Sequence, residues 1–91
     1  MPYDILYHPD VVKEDISKIP NNIKQRIKTA IELRLTISPE KYGLPLRNTL
    51  KGYWKIRVGD YRVVYQIKEK AIVVKAIMHR KDIYKEVFSR L

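Results

Sequence analysis

Apolar and polar positions along the chain change period several times, and each change marks an element. Tyr3-Asp4-Ile5-Leu6-Tyr7 alternates loosely and predicts a short strand, which His8-Pro9-Asp10 ends. From Asp10 to Lys18, Val12, Ile16 and the following Ile19 fall at spacings of four and three, one face of a helix. Pro20-Asn21-Asn22 stops that helix and offers a cap to the next. From Asn22 to Ile37, the apolar residues Ile23, Ile27, Ala30, Ile31 and Leu35 take one side. Lys24, Gln25, Arg26, Lys28 and Glu32 take the other, giving the clearest amphipathic helix in the chain. Two helices with so short a link predict an antiparallel hairpin.

Ser38 to Gly52 reads as irregular, with Pro39, Gly43, Pro45 and Gly52 all poor in regular elements. Beyond it the period shortens to two. Tyr53–Val58, Tyr61–Ile67 and Ala71–Met78 are rich in Val, Ile and Tyr and predict three strands. Gly59-Asp60 has Gly first, as a type II′ hairpin turn requires. Asp82 is placed to cap a closing helix that reaches Arg90. The order β-α-α-β-β-β-α predicts one α+β domain over residues 1–91. In it an N-terminal strand and a helix hairpin pack on an antiparallel sheet, with a C-terminal helix.

The Gly59-Asp60 turn also fixes a register. Val58 faces Tyr61, Arg57 faces Arg62, Ile56 faces Val63 and Lys55 faces Val64. Since strand side chains alternate, Trp54, Ile56, Val58, Tyr61, Val63 and Tyr65 share one face and suit a core. Lys55, Arg57 and Arg62 share the other. Like charges directly opposite destabilise a hairpin by roughly 0.2–1 kcal/mol, so the cluster points to an anion. The plain alternative is that the arginines splay into water, where the repulsion is screened.

Charge strengthens that reading. The chain has 91 residues and a formal net charge of +9. Residues 1–45 nearly balance seven bases with six acids, whereas residues 46–91 carry twelve bases and four acids. Excess charge gathered in one half points to a polyanionic partner, nucleic acid first and an acidic protein segment second. There is no cysteine, which removes disulfides, thiolate metal sites and thiol nucleophiles. Two distant histidines and no clustered acids argue against a metal site. No phosphate-cradling Gly-rich loop, nucleophile elbow or cofactor motif is present. No apolar run approaches the ~18 residues of a membrane span, and Met1–Asp10 lacks a signal-peptide pattern. A cytoplasmic protein without membrane association is the expectation.

Arg80 and Lys81 follow the last strand, and Tyr84 opens the last helix, where sites commonly assemble. A Tyr beside cations stacks on a base or hydrogen-bonds a ribose or phosphate. A half-buried helix Tyr with a wet hydroxyl is its everyday alternative. His79 has the chemistry of an acid–base group but no acidic neighbour, so a structural or base-contacting role is equally open.

The stretch Leu46-Arg47 … Gly52-Tyr53-Trp54-Lys55-Ile56-Arg57-Val58-Gly59-Asp60-Tyr61-Arg62-Val63-Val64-Tyr65, with His79-Arg80-Lys81-Asp82-Ile83-Tyr84 after an apolar strand, resembles the RelE/ParE superfamily of toxins. The resemblance covers essentially the whole chain and is nearer to the RelE branch. It implies a type II toxin–antitoxin toxin that cleaves messenger RNA in the ribosomal A site by metal-independent attack of the 2′-hydroxyl, so inhibiting translation. It also implies a catalytic set of Lys55, Arg57, Arg62, Arg80 and Tyr84, flanked by Arg47, Lys51, His79 and Lys81 as RNA-binding residues. Arg57 stands where the best-known RelE type has a Lys, which favours phosphate clamping over proton removal there. The partners implied are an acidic, RelB-like antitoxin, messenger RNA and the ribosome, with no cofactor. Two other readings stay open: a ParE-like, non-enzymatic inhibitor of DNA gyrase, and a passive RNA- or ribosome-binding module.

Overall fold

The computed structural model describes residues 2–46 and 52–90. It contains β1 (Asp4–Tyr7), α1 (Asn21–Ala30), α2 (Pro39–Tyr42), β2 (Leu44–Pro45), β3 (Tyr53–Val58), β4 (Tyr61–Lys68), β5 (Ala71–His79) and α3 (Ile83–Glu86). Between β1 and α1 the chain makes a wide helical turn over Val11–Asp15 and a tighter one over Ile16–Lys18. A second wide turn over Ile31–Leu35 extends α1, and a tight turn over Val87–Arg90 extends α3. The fold is α+β. Its sheet has five strands in the order β1-β5-β4-β3-β2.

The β3–β4 hairpin has the register that its turn dictates: Val58 opposite Tyr61, Arg57 opposite Arg62, Ile56 opposite Val63 and Lys55 opposite Val64. Gly59 takes a φ of 60°, a left-handed conformation that costs glycine little. Three expectations are corrected. The sheet is mixed, because β1 runs parallel to β5 while every other pair is antiparallel. Alternation identifies a strand but says nothing of its distant partner. The segment Ser38–Gly52 is not wholly irregular either: Ser38-Pro39 starts the one-turn α2, and Leu44–Pro45 adds a short edge strand. The expected side-chain caps are also absent. α1 begins at Asn21 without one, its early N–H groups at Ile23 and Lys24 reaching the Pro20 carbonyl, and Asp82 holds the N-cap position of α3 without a side-chain bond.

Each face of the sheet has its own apolar cluster. On one, Val11, Ile19, Ile27, Ala30, Ile31 and Leu35 of the helices pack on Ile56, Val58, Val63, Tyr65, Ile72, Val74 and Ile77. On the other, Ile83 and Val87 cover Val64, Ala76 and Met78, with Leu46 and Tyr53 alongside. The first is the larger, and it is the face predicted to be the core. Among the described residues no helix is long and apolar enough to cross a membrane.

A bulge in β5 decides which residues reach which face. Tyr65 is opposite Val74 but Val64 is opposite Ala76, so the register passes over Lys75. Past this point every side chain of β5 changes face. Ile77 and His79 therefore join Val63 and Tyr61, while Ala76 and Met78 join Val64 and Arg62. Backbone groups freed at the bulge are taken by a buried ion pair. Asp15, 4% exposed, accepts a 2.9 Å hydrogen bond from the Ile77 N–H and a bidentate pair from Arg90, at 2.7 and 2.9 Å. Arg90 Nη1 also donates to the Lys75 carbonyl at 3.2 Å. The pair ties the helical turn at Val11–Asp15, strand β5 and the C-terminal segment together.

Candidate nucleic-acid site

Alternation along β3 and β4 puts Lys55, Arg57 and Arg62 on the face that α3 covers only in part. Lys55, Ile56, Arg57 and Arg62 line a cleft of ≈ 410 Å³ together with Arg34, Tyr42, Leu44 and Tyr84. Four of these eight residues are cations, and none is a carboxylate or a histidine. Lys55 Nζ donates to Tyr84 Oη at 2.5 Å. With its oxygen accepting from the ammonium, the Tyr84 hydroxyl keeps its own proton free to donate to another group. The Arg62 guanidinium rests on the hairpin tip, with Nη1 3.1 Å from the Gly59 carbonyl and 3.0 Å from that of Tyr61. Arg57 lies directly opposite Arg62 and is exposed. Such an array can grip a phosphodiester through the forked donors of two guanidinium groups.

Four of the five residues implied as catalytic thus share one cleft. The fifth, Arg80, is not among the residues that line it. The Arg80 N–H donates to the Asp60 carbonyl at 2.8 Å, and Nε stands 3.9 Å from Asp60 Oδ1, at the same hairpin tip as Arg62. His79 lies on the opposite face, its ring edge-on to Tyr61 at 5.5 Å, and its Nδ1 accepts from the Lys81 N–H at 3.2 Å. The bulge at Lys75 is the reason: had β5 alternated regularly past Val74, His79 would lie on the face of Arg62. Lys81 is exposed beyond the strand. Arg47 and Lys51 fall outside the described residues.

Three cleft residues escaped sequence reading. Arg34 comes from the turn after α1 and crosses to the open edge of β3, where Nη1 donates to the Arg57 carbonyl at 3.5 Å. Tyr42 ends α2 and Leu44 begins β2. The Ser38-Pro39 helix start was the available signal for that segment. Nothing local signals that Arg34 meets β3.

The profile of the family described as the ParE toxin of the type II toxin–antitoxin system, parDE, matches residues 5–84. Toxin RelG of Mycobacterium tuberculosis is 31% identical over 87 residues, covering 93% of this chain and 99% of that one. Toxin RelE3 of Methanocaldococcus jannaschii is 33% identical over 84 residues, covering 88% and 93%. Among solved structures, a toxin–antitoxin complex RelBE2 from Mycobacterium tuberculosis superposes with a TM-score of 0.75 at 28% identity, over 88% of this chain and 100% of the other. The matched span runs from β1 to Tyr84 and so takes in every residue that lines the cleft. On fold, sequence span and site together, the chain belongs to the ParE toxin family of type II toxin–antitoxin systems, within the RelE/ParE superfamily.

Proposed function

We propose that this toxin is a metal-independent endoribonuclease that cleaves messenger RNA in the ribosomal A site and so inhibits translation. The observation that carries the reading is the convergence of Lys55, Arg57, Arg62 and Tyr84 on one cleft. RNA supplies its own nucleophile. The 2′-oxygen bonds to phosphorus, the bond from phosphorus to the 5′-oxygen breaks, and the products are a 2′,3′-cyclic phosphate and a free 5′-hydroxyl. Arg57 and Arg62 bind the non-bridging oxygens, whose charge grows in the transition state, each such donor being worth about 10²–10³-fold. Lys55 acts as the base that takes the 2′-hydroxyl proton, Tyr84 orients the nucleotide, and a proton from water completes the departing 5′-hydroxyl. Arg80 swings from Asp60, an exposed pairing held weakly, to stabilise the leaving oxygen. A site so poor in acid–base groups depends on the ribosome to bend the message into line for attack.

An acidic RelB-like antitoxin is the partner that a net charge of +9 suits, and the cytoplasm is where such a toxin meets ribosomes. The ParE description of the matching family favours a second reading, inhibition of DNA gyrase without catalysis. Message cleavage on programmed ribosomes separates the two. The parent should cut, and Arg62→Ala and Arg80→Ala should each cut about 10²–10³-fold more slowly. Variants that cut like the parent would remove the catalytic assignment. Intact messages together with blocked supercoiling would move the protein to the gyrase class.

A further inference from the structure

The wall of the cleft formed by α2 and β2 has no role in the chemistry above, yet it is built with care. Tyr42 is 50% exposed and Leu44 65% exposed, side by side in sequence around Gly43. Scattered exposed apolar residues are ordinary, but these two are held from beneath. Tyr65 is fully buried below α2, and its hydroxyl donates to the Pro39 carbonyl at 2.6 Å. A side chain at Gly43 would collide with that hydroxyl, so glycine alone lets the chain pass so close. The N–H groups of Lys41 and Tyr42 close the helical turn on the Ser38 carbonyl, at 3.1 and 3.2 Å. Leu44 pairs with Lys55 and so shares its face. Lys41 Nζ stands 5.8 Å from the centre of the Tyr42 ring.

Resting on the ribonuclease reading, we propose that Tyr42 and Leu44 form an apolar shelf on which a base flanking the scissile phosphate stacks. Sheet order gives the layout. Arg62 on β4 and Arg57 on β3 hold the phosphate, Lys55 on β3 faces the 2′-oxygen, and β2 at the edge presents Leu44 one strand away. Tyr84 serves one nucleotide beside Lys55, and Tyr42 serves its neighbour. Nucleic acid fits better than an acidic polypeptide for two reasons. A cleft of ≈ 410 Å³ is within the ~300–1,000 Å³ of small-molecule sites and too small for a helix. An exposed aromatic ring beside cations is the pairing that single-stranded nucleic acids use, and because every base has a π-face the contact tolerates any sequence. Lys41 then lies within reach of the next phosphate.

The test is a binding titration by fluorescence anisotropy. The probe is a short single-stranded RNA carrying a 2′-deoxy sugar at the cleavage junction, so that it stays whole. Tyr42→Ala should bind about tenfold more weakly than the parent, with an unchanged slope of log affinity against log salt, because no phosphate contact is lost. Tyr42→Phe should bind like the parent. Replacing the flanking base with an abasic residue should weaken the parent by a similar factor and cost Tyr42→Ala nothing more. Equal binding by Tyr42→Ala and the parent overturns the shelf, as does a Tyr42→Phe as weak as Tyr42→Ala. A Tyr42→Ala that holds RNA normally but loses an acidic peptide assigns the surface to a protein partner and likewise overturns it. Should Tyr42→Ala fail to fold, the abasic series on the parent and the Phe variant decide alone. An Arg62→Ala with unchanged affinity and salt slope counts against the ribonuclease reading and leaves the shelf to its own arms.

Discussion

The two faces of the β3–β4 hairpin are made from alternate residues of one short stretch, and they were put to opposite uses. Toward α1, Ile56, Val58, Val63 and Tyr65 are sealed under the helices. Away from it, Lys55, Arg57 and Arg62 line an open cleft with Arg34, Tyr42, Leu44 and Tyr84, beside the patch of Val64, Ala76 and Met78 that Ile83 and Val87 cover. Burying one aliphatic side chain is worth about 1.5–3 kcal/mol, whereas an opposed like-charge pair costs about 0.2–1 kcal/mol. One sealed face therefore stabilises the domain enough for its reverse to keep charges that oppose folding. The cleft is the part of the sheet that the short α3 leaves open.

The seam between the faces carries the largest expected effect. Asp15→Ala strips the buried Arg90 of its bidentate partner and the Ile77 N–H of its acceptor. Breaking a buried pair in this way costs about 3–5 kcal/mol. The loss should lie toward the low end, because Glu14 and Asp10 remain 3.5 and 3.9 Å from Arg90. Urea denaturation measures it. A loss below about 1 kcal/mol would mean that the bulge, and with it the division of β5 between the faces, holds without the pair.

The strands and the division of the hairpin were legible because turn chemistry and alternation are local. Gly59-Asp60 sets the register of β3 and β4, and period two then separates Lys55, Arg57 and Arg62 from Ile56, Val58 and Val63. What was illegible is non-local. Tyr3–Tyr7 reads as a strand, but nothing in it announces a parallel partner in β5. The bulge at Lys75 has no sequence signature such as Gly, yet it moves His79 from the face of Arg62 to that of Tyr61. Arg34 reaches the cleft through the carbonyl of Arg57, a residue 23 positions away, which no periodicity encodes.

A middle-sized effect tests whether the sealed face supports the cleft from below. Tyr65→Phe keeps the packing of a core residue and removes the donor that holds Pro39. The Gly43 N–H still reaches the same carbonyl at 3.2 Å, so the cost should be about 0.5–1.5 kcal/mol. The variant also has a signature in pH. Burial, and after it the nearby Glu40 carboxylate, pushes the Tyr65 phenol above its ordinary 10.0. The folded state then holds that proton more firmly than the unfolded chain. Its contribution is complete below about pH 10 and falls as the pH rises further. Tyr7 is raised too, by burial and then by Glu32, and works in the same direction. Urea midpoints between pH 8 and 11 should fall less steeply for Tyr65→Phe than for the parent, with the residual slope left to Tyr7. Identical slopes would detach the phenol from the stability of this face.

The smallest effect has the opposite sign and bears hardest on the comparison. Arg57→Thr puts a good strand former opposite Arg62 and removes the like charge. The Arg57 carbonyl that Arg34 holds is backbone and survives the change. Stability should rise by about 0.2–1 kcal/mol. That gain should shrink between 0.1 and 1 M salt, as the screening length drops from about 10 to 3 Å. Message cleavage should fall in the same variant, a gain in stability bought with function. A matching change on the other face, Ile56→Val, should lower stability by about 0.5–1.5 kcal/mol at every salt concentration, because it loses packing and no charge. If Arg57→Thr is instead less stable at low salt, its methylene stem contributes more than its charge costs, and the cleft face is then a working part of the fold's stability.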